Sequence, residues 1–186
     1  MRYRREDVVS RALEVLDAYG LADLSMRRLG QELGVQPSAL YHHFTNKQTL
    51  LAAIADEVLA RGSRPVTAST WDGRVEQVAA TLRDAMLAYR DGAELVATVM
   101  AFGLGAGQPY ADLTAALARG GLAPDLVPTA ARTVLHFVVG HTLDEQTHLQ
   151  AGSAGAIGDA PRPDSDFAAG LALIVDGVRS RVRSAR

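Results

Sequence analysis

We predict an all-α fold from two features of the sequence. Apolar residues recur at intervals of three and four, the spacing that places them on one face of a helix. Clusters of Gly, Pro and small polar residues interrupt this pattern and mark the turns between helices. The chain has 186 residues, 48% of them hydrophobic, which is sufficient for one or two small domains with a buried core. We expect an N-terminal three-helix domain over residues 1–62 and a C-terminal helical domain over residues 63–186.

The first helix is predicted over residues 5–19. It places Val8, Leu13 and Leu16 on one face, and Gly20 ends it. We expect this face to pack across the next two helices and to complete the N-terminal domain.

Residues 25–51, SMRRLGQELGVQPSALYHHFTNKQTLL, predict a helix-turn-helix. Gly34 falls where the first helix must reverse, and glycine tolerates the left-handed conformation that this reversal requires. Pro37 falls at the start of the second helix, where its missing N–H costs nothing. The second helix is predicted over residues 37–44.

This second helix leaves a polar and aromatic face with no carboxylate, formed by Ser38, Tyr41, His42 and His43. A helix that enters the major groove of DNA needs such a face, because it must offer donors, acceptors and apolar edges without repelling phosphate. Thr45 and Gln48 form a T-x-x-Q pattern, which predicts a capping box at the start of the next helix, over residues 46–61. Lys47 in that first turn would contact a phosphate.

Charge is unevenly distributed along the chain. Residues 1–50 contain seven basic and six acidic residues, whereas the remainder contains twelve and fifteen. The N-terminal domain is therefore the less acidic part, in agreement with DNA binding. The chain has no cysteine, no apolar run of 18 residues and a charged N-terminus, so we expect a cytoplasmic protein with no membrane partner.

After a linker at residues 62–70, the periodicity predicts five more helices, with the long ones over residues 71–90, 125–149 and 166–183. Residues 151–165 are rich in Gly, Ala and Pro and predict a loop. The last two long helices combine much apolar surface with small residues. We therefore expect a homodimer that forms through these two helices as a four-helix interface.

The first 60 residues resemble the DNA-binding domain of the TetR family of transcriptional repressors, through the pattern L-G-V-x-x-x-x-L-Y-x-H-F-x-N-K-x-x-L-L. The resemblance implies a double-stranded DNA operator, read as a palindrome by the dimer. It also implies eight DNA-contacting residues, which are Ser25, Arg27, Pro37, Ser38, Tyr41, His42, His43 and Lys47.

The C-terminal half resembles the tetracycline-repressor subgroup, through residues 89–96 and 133–148. In that subgroup a glutamate, a histidine and a threonine bind a magnesium–tetracycline chelate. Here Asp144 stands at the glutamate position, and Val96 and Val99 stand at the other two. Two valines cannot coordinate a hard cation, so we expect an unknown, more apolar small-molecule effector. Its predicted pocket comprises Val96, Val99, Met100, Phe102, His136, Phe137, His141 and Asp144.

His141, Asp144, Glu145 and His148 share one side of the long helix and could converge on a divalent metal. The alternatives are a polar stripe across the dimer and the lining of a ligand pocket, and we expect no metal and no cofactor. No nucleophile–base pattern predicts an enzyme. We expect a ligand-responsive repressor that a small molecule releases from its operator. The alternative is a helical ligand-binding or interaction protein whose helix-turn-helix is vestigial.

Overall fold

The computed structural model describes residues 3–155 and 166–184. Within these ranges the chain forms nine α-helices and no β-strand, which confirms the all-α prediction. Their bounds are α1 Arg5–Tyr19, α2 Met26–Leu33, α3 Pro37–Leu40, α4 Lys47–Gly62, α5 Trp71–Leu87, α6 Gly92–Phe102, α7 Gln108–Arg119, α8 Val127–Ser153 and α9 Phe167–Ser184.

The helices belong to two compact units. The first comprises the described residues of 1–63 together with residues 85–106, and the second comprises residues 64–84 with the described residues of 107–186. Helix α6 therefore belongs to the same unit as the helix-turn-helix, although we predicted a division at residue 62. The predicted boundary between a DNA-binding domain and an effector-binding and dimerisation domain stays a prediction.

The core of the first unit lies where α1, α2 and α4 meet. Val8, Leu16, Leu29, Leu50 and Ile54 are completely buried there. They recur at helical spacing, so each helix buries one face and leaves its polar residues outside. The core of the second unit is formed by α7, α8 and α9, and α8 contributes a row of buried residues, Val127, Ala131, Val134, Leu135, Val138, Thr142 and Gln146.

Two local predictions are wrong in detail. The capping box of α4 is formed by Asn46 and Thr49, because the Asn46 side chain accepts a hydrogen bond from the Thr49 N–H at 2.8 Å. It is not formed by Thr45 and Gln48, because the helix begins one residue later than that pattern requires. The regular part of α3 is also shorter than predicted: it ends at Leu40, and residues 41–43 continue as a turn.

The predicted loop at residues 151–165 lies mostly outside the described residues. Helix α8 extends to Ser153, beyond the predicted end at residue 149. None of the described helices combines the length and the apolar character that crossing a membrane would need.

Candidate DNA-binding and effector sites

The turn of the helix-turn-helix has the conformation that its glycine predicts. Gly34 has φ 65° and ψ 31°, in the left-handed region. The Val35 N–H donates to the Gly30 carbonyl at 2.9 Å and closes the turn. Pro37 is the first residue of α3, where no N–H is required. The turn therefore holds α3 in a defined orientation relative to α2.

The residues after Pro37, which we call the recognition turn (residues 38–43), leave their polar side chains outside. Ser38, Tyr41 and His42 are exposed, and His43 is half-buried. Leu40 and Phe44 point the other way and are only 1% and 2% exposed. The Phe44 N–H donates to the Leu40 carbonyl at 3.0 Å, so one hydrogen-bonded turn follows the regular part of α3. The predicted face is thus continuous, and its contacts with DNA stay a prediction.

The starts of α2 and α4 position the three other predicted residues. The Ser25 hydroxyl accepts a hydrogen bond from the Arg28 N–H at 3.1 Å and caps the helix. Arg27, the next residue but one, is exposed. Lys47 is the first residue of α4, is half-buried, and lies directly after the Asn46 cap.

Arg28 has a role that the sequence did not indicate. Its guanidinium lies 3.8 Å from the centre of the Tyr19 ring and forms an ion pair of 3.2 Å with Glu32. Hydrogen bonding to Tyr19 and Glu32 raises the pKa of Arg28 above its usual value. This arginine therefore ties α2 to the end of α1, whereas its neighbour Arg27 is exposed. No sequence pattern distinguishes these two arginines, because the Tyr19 contact spans a turn.

Two aspartates attach α6 to other parts of the first unit, one to the end of α1 and one to α4. The Asp91 carboxylate precedes α6 and accepts a hydrogen bond from the Leu21 N–H, after α1, at 2.8 Å. The Asp56 carboxylate, on α4, accepts one from the Ala106 N–H, after α6, at 2.8 Å. Helix α6 is thus hydrogen-bonded to the rest of the first unit near both of its ends.

The eight predicted effector residues are divided equally between the two units. In the first unit Val96 and Val99 are completely buried, Met100 is partly buried, and the Phe102 side chain is 52% exposed. The two valines are therefore part of the core of the first unit. Whether they line a pocket is a prediction that the described contacts do not test.

In the second unit Phe137 and His141 form a three-ring stack with Phe167. The ring centre of His141 lies 5.6 Å from that of Phe137 and 5.3 Å from that of Phe167, with interplanar angles of 13° and 14°. Gly170 makes room for the stack, since a Cβ there would lie 2.6 Å from the Phe137 ring. The stack joins α8 to α9, a pairing that periodicity could not reveal. His136 and Asp144 are exposed on α8.

The metal alternative finds no support in the ranges that the structure describes. No group of three or more His, Cys, Asp or Glu side chains there could hold a metal ion. Glu145 forms a two-pronged ion pair with Arg83, with the Arg83 Nε 2.8 Å from the carboxylate. This carboxylate is therefore engaged between α5 and α8, within the second unit.

Two family models match the chain. The model of the tetR family of bacterial regulatory proteins matches residues 8–54, and that of the tetracyclin repressor-like C-terminal domain matches residues 64–162. The tetracycline repressor protein class A from transposon 1721 of Escherichia coli is 35% identical, over 94% of this chain and 89% of its own length.

Solved structures of similar proteins cover nearly all of both chains. BioQ from Mycobacterium smegmatis has 40% identity and a TM-score of 0.90, over 96% of this chain and 99% of its own. BioQ with its double-stranded DNA operator has 39% identity and a TM-score of 0.84, over 95% and 98%. The Q116A variant of TetR from Acinetobacter baumannii AYE in complex with minocycline has 30% identity and a TM-score of 0.77, over 97% and 95%.

A capped helix-turn-helix with an exposed recognition turn, in a chain that continues into a helical unit, defines a helix-turn-helix DNA-binding regulator. The two model matches span most of this chain and identify its family within this class of regulators. The chain belongs to the TetR family, whose members are ligand-responsive, DNA-binding transcriptional repressors. The family resemblance in the sequence is thereby confirmed.

Proposed function

We propose that this protein is a dimeric cytoplasmic repressor that reads a palindromic DNA operator through its recognition turn. The observation that carries the proposal is the exposed face of Ser38, Tyr41 and His42 on a turn whose other side is buried. A face of this kind offers hydrogen bonds and an aromatic ring to base edges in the major groove. His43, which is half-buried, completes the face.

We assign the phosphate contacts to the two helix starts beside this turn. Arg27 is exposed on α2, and Lys47 begins α4. The Ser25 cap and the Pro37 start hold the backbone at the edges of the same surface. Phosphate contacts fix the register of the protein on the duplex, so the base contacts of the recognition turn can be specific.

The dimer would form through α8 and α9. The apolar side chains of Leu149 and Leu173 are 57% and 75% exposed, on α8 and α9. Gly177 lies one turn after Leu173 on α9 and has no atom within 4 Å of the position of a Cβ. An exposed leucine beside an open glycine is suited to the close packing of a helix from a second copy.

Two copies related by a two-fold axis would present two recognition turns, which matches a palindrome with half-sites about one helical turn, roughly 34 Å, apart. Gly177→Ala tests the interface, because a methyl group there meets nothing within one chain but would meet a partner. We expect unchanged folding and a weaker dimer in analytical ultracentrifugation. A dimer constant equal to that of the wild type would contradict this interface.

The effector would act through α6. Because Asp91 and Asp56 attach α6 to α1 and α4, a ligand that prefers a shifted α6 also prefers a shifted helix-turn-helix. The loss of DNA affinity then equals the ligand's preference between the two states. Release from the operator, rather than recruitment to it, is the direction that we propose.

We propose that the effector is a small, largely apolar molecule. Val96 and Val99 are buried on α6 and offer no oxygen or nitrogen to a metal ion. Hard cations such as Mg²⁺ require oxygen ligands, so a magnesium–tetracycline chelate would lose two of its contacts here. Tetracycline with Mg²⁺ is therefore a useful probe: we expect no release of operator DNA. Release at micromolar concentrations would overturn the apolar assignment.

The experiment that tests the proposed function measures binding to DNA from around the protein's own gene, at salt concentrations from 50 to 200 mM. With about six phosphate contacts, affinity should fall by about three decades over this range. Tyr41→Ala combined with His42→Ala should abolish specific binding, because it removes two of the proposed base contacts. Both side chains are exposed, so their removal should leave the fold intact. Arg119→Ala, an exposed residue of α7, is the matched control and should bind as the wild type does.

Two results would count against the proposal. Full operator affinity in the double variant would show that the recognition turn does not read the bases. Absence of any salt-sensitive, specific binding by the wild type would favour the alternative, a ligand-binding protein with a vestigial helix-turn-helix.

A further inference from the structure

The start of α1 lies against the end of the recognition turn. The Arg5 guanidinium sits over the Phe44 ring, 4.8 Å from its centre. Phe44 is 2% exposed and directly follows His43 in the chain. A cation over an aromatic face is attracted by the ring's quadrupole, so this contact holds the first residue of α1 beside the recognition turn.

A groove places Tyr3, the residue before the two arginines, on the same side. Tyr3 lines a groove together with Val35 and Ala39, which flank the start of α3, and with His42 and His43 of the recognition turn. Tyr3 itself is half-buried. Two consecutive features, the Tyr3 groove and the Arg5 contact, therefore fix the course of residues 3–5 along the recognition turn.

Between these contacts the chain carries exposed positive charge. The Arg4 and Arg5 side chains are both exposed, and among the described residues neither forms an ion pair with a carboxylate. Glu6 and Asp7 are exposed close by, and the Asp7 carboxylate accepts a hydrogen bond from the backbone N–H of Arg4 at 2.7 Å. That bond leaves the Arg4 guanidinium free to reach outward.

We propose that Arg4 and Arg5 bind phosphates of the same DNA duplex, beside the half-site that the recognition turn reads. This inference rests on the proposed function, since it extends the DNA-binding surface continuously from the recognition turn to the start of α1. Guanidinium groups bind phosphate with two parallel hydrogen bonds, so arginine is well suited to the role. Because phosphates are the same at every base pair, the contact adds affinity without reading sequence.

The test compares the wild type with Arg4→Ala, Arg4→Lys and Arg119→Ala, using operator DNA and an unrelated duplex of equal length. Arg4→Ala keeps the backbone N–H that donates a hydrogen bond to the Asp7 carboxylate. The fold should therefore survive, and a thermal melt checks this. In a dimer the variant loses two phosphate contacts. The slope of log affinity against log salt should therefore become shallower by about 2, and affinity near 0.1 M salt should fall about 10- to 100-fold.

The loss should be equal for operator and unrelated DNA, so that the specificity ratio is unchanged. Arg4→Lys should restore most of the slope, and Arg119→Ala should leave it as in the wild type. Combining Arg4→Ala with Arg5→Ala should make the slope shallower again. If Arg4→Ala and the combined variant keep the wild-type slope and affinity, this inference is overturned while the proposed function stands. A wild type that binds no DNA in a salt-sensitive way would overturn both.

Discussion

Gly30 lies inside α2, and its Cα faces the turn that leads into α3. A Cβ added there would lie 2.9 Å from the Val35 carbonyl oxygen and 3.4 Å from the Pro37 nitrogen. Both of these atoms belong to the backbone. The Val35 N–H is also hydrogen-bonded to the Gly30 carbonyl at 2.9 Å, so the turn cannot move away without weakening that bond.

Gly30→Ala therefore sets two effects against each other. In the interior of a helix, alanine is favoured over glycine by about 0.5–1 kcal/mol. Forcing an additional methyl group against a packed backbone costs about 1–3 kcal/mol. We expect a net loss of about 1–2 kcal/mol in the free energy of unfolding, and a displaced recognition turn. At roughly 2–4 °C per kcal/mol for a chain of this size, the melting temperature should fall by about 2–8 °C.

Two measurements check this prediction: a thermal melt and the affinity for operator DNA, each compared with Gly107→Ala. Gly107 precedes α7, away from the proposed dimer surface, and has φ −79° and ψ −20°, which alanine also adopts. A Cβ there would meet nothing within 4 Å, so the control should change stability little. If Gly30→Ala were as stable as the control and bound operator as tightly as the wild type, the prediction would be wrong. The close approach of α2 to the turn would then have no effect on the free energy of unfolding or on DNA binding.

The two remaining predictions concern a helix cap and an acidic side chain. Asn46→Ala should reduce the free energy of unfolding by about 1 kcal/mol in a urea titration, because it removes the cap of α4. Thr45→Ala should change the free energy of unfolding little. A larger effect of Thr45→Ala than of Asn46→Ala would instead support the capping box of Thr45 and Gln48 that the sequence predicts. Hydrogen bonding to Thr70 and the ion pair with Arg179 lower the pKa of Asp72 from 3.8 to about 2. Since its folded pKa is the lower one, Asp72 should contribute about 1–2 kcal/mol above pH 4, after an allowance for its partial exposure, and lose it as the pH falls toward 2. Asp72→Asn should therefore match the wild type near pH 2 but be less stable at pH 7, and an equal deficit at both would contradict this.

Helix positions were well predicted because they depend on local spacing. The observed α1 has the predicted bounds, and the starts and ends of the long helices differ from the predicted ones by a few residues. The cap of α4 was misplaced by one residue because T-x-x-Q and N-x-x-T both occur there, and both place a side-chain oxygen three residues before a partner. Asparagine is at least as good a cap as threonine, so the sequence pattern alone did not decide between them.

The recognition turn was predictable for the same reason. Gly34, Pro37 and the buried Leu40 determine which side chains of the turn remain outside, and all of them lie within ten residues of one another. The roles of Arg28 and Arg5 were not predictable, because each depends on an aromatic ring that folding brings near, Tyr19 for the one and Phe44 for the other.

The sequence by itself determined the helical class, the helix-turn-helix and the polar face of its recognition turn, since these follow from interactions between residues within a few positions of each other. Only the tertiary structure decided which distant residues meet. The hydrogen bond from Leu21 to Asp91 spans 70 residues, and the ion pair of Arg83 with Glu145 spans 62. Such contacts depend on how whole helices pack, so they join the start of α6 to the end of α1, and α5 to α8, in ways that no local pattern encodes.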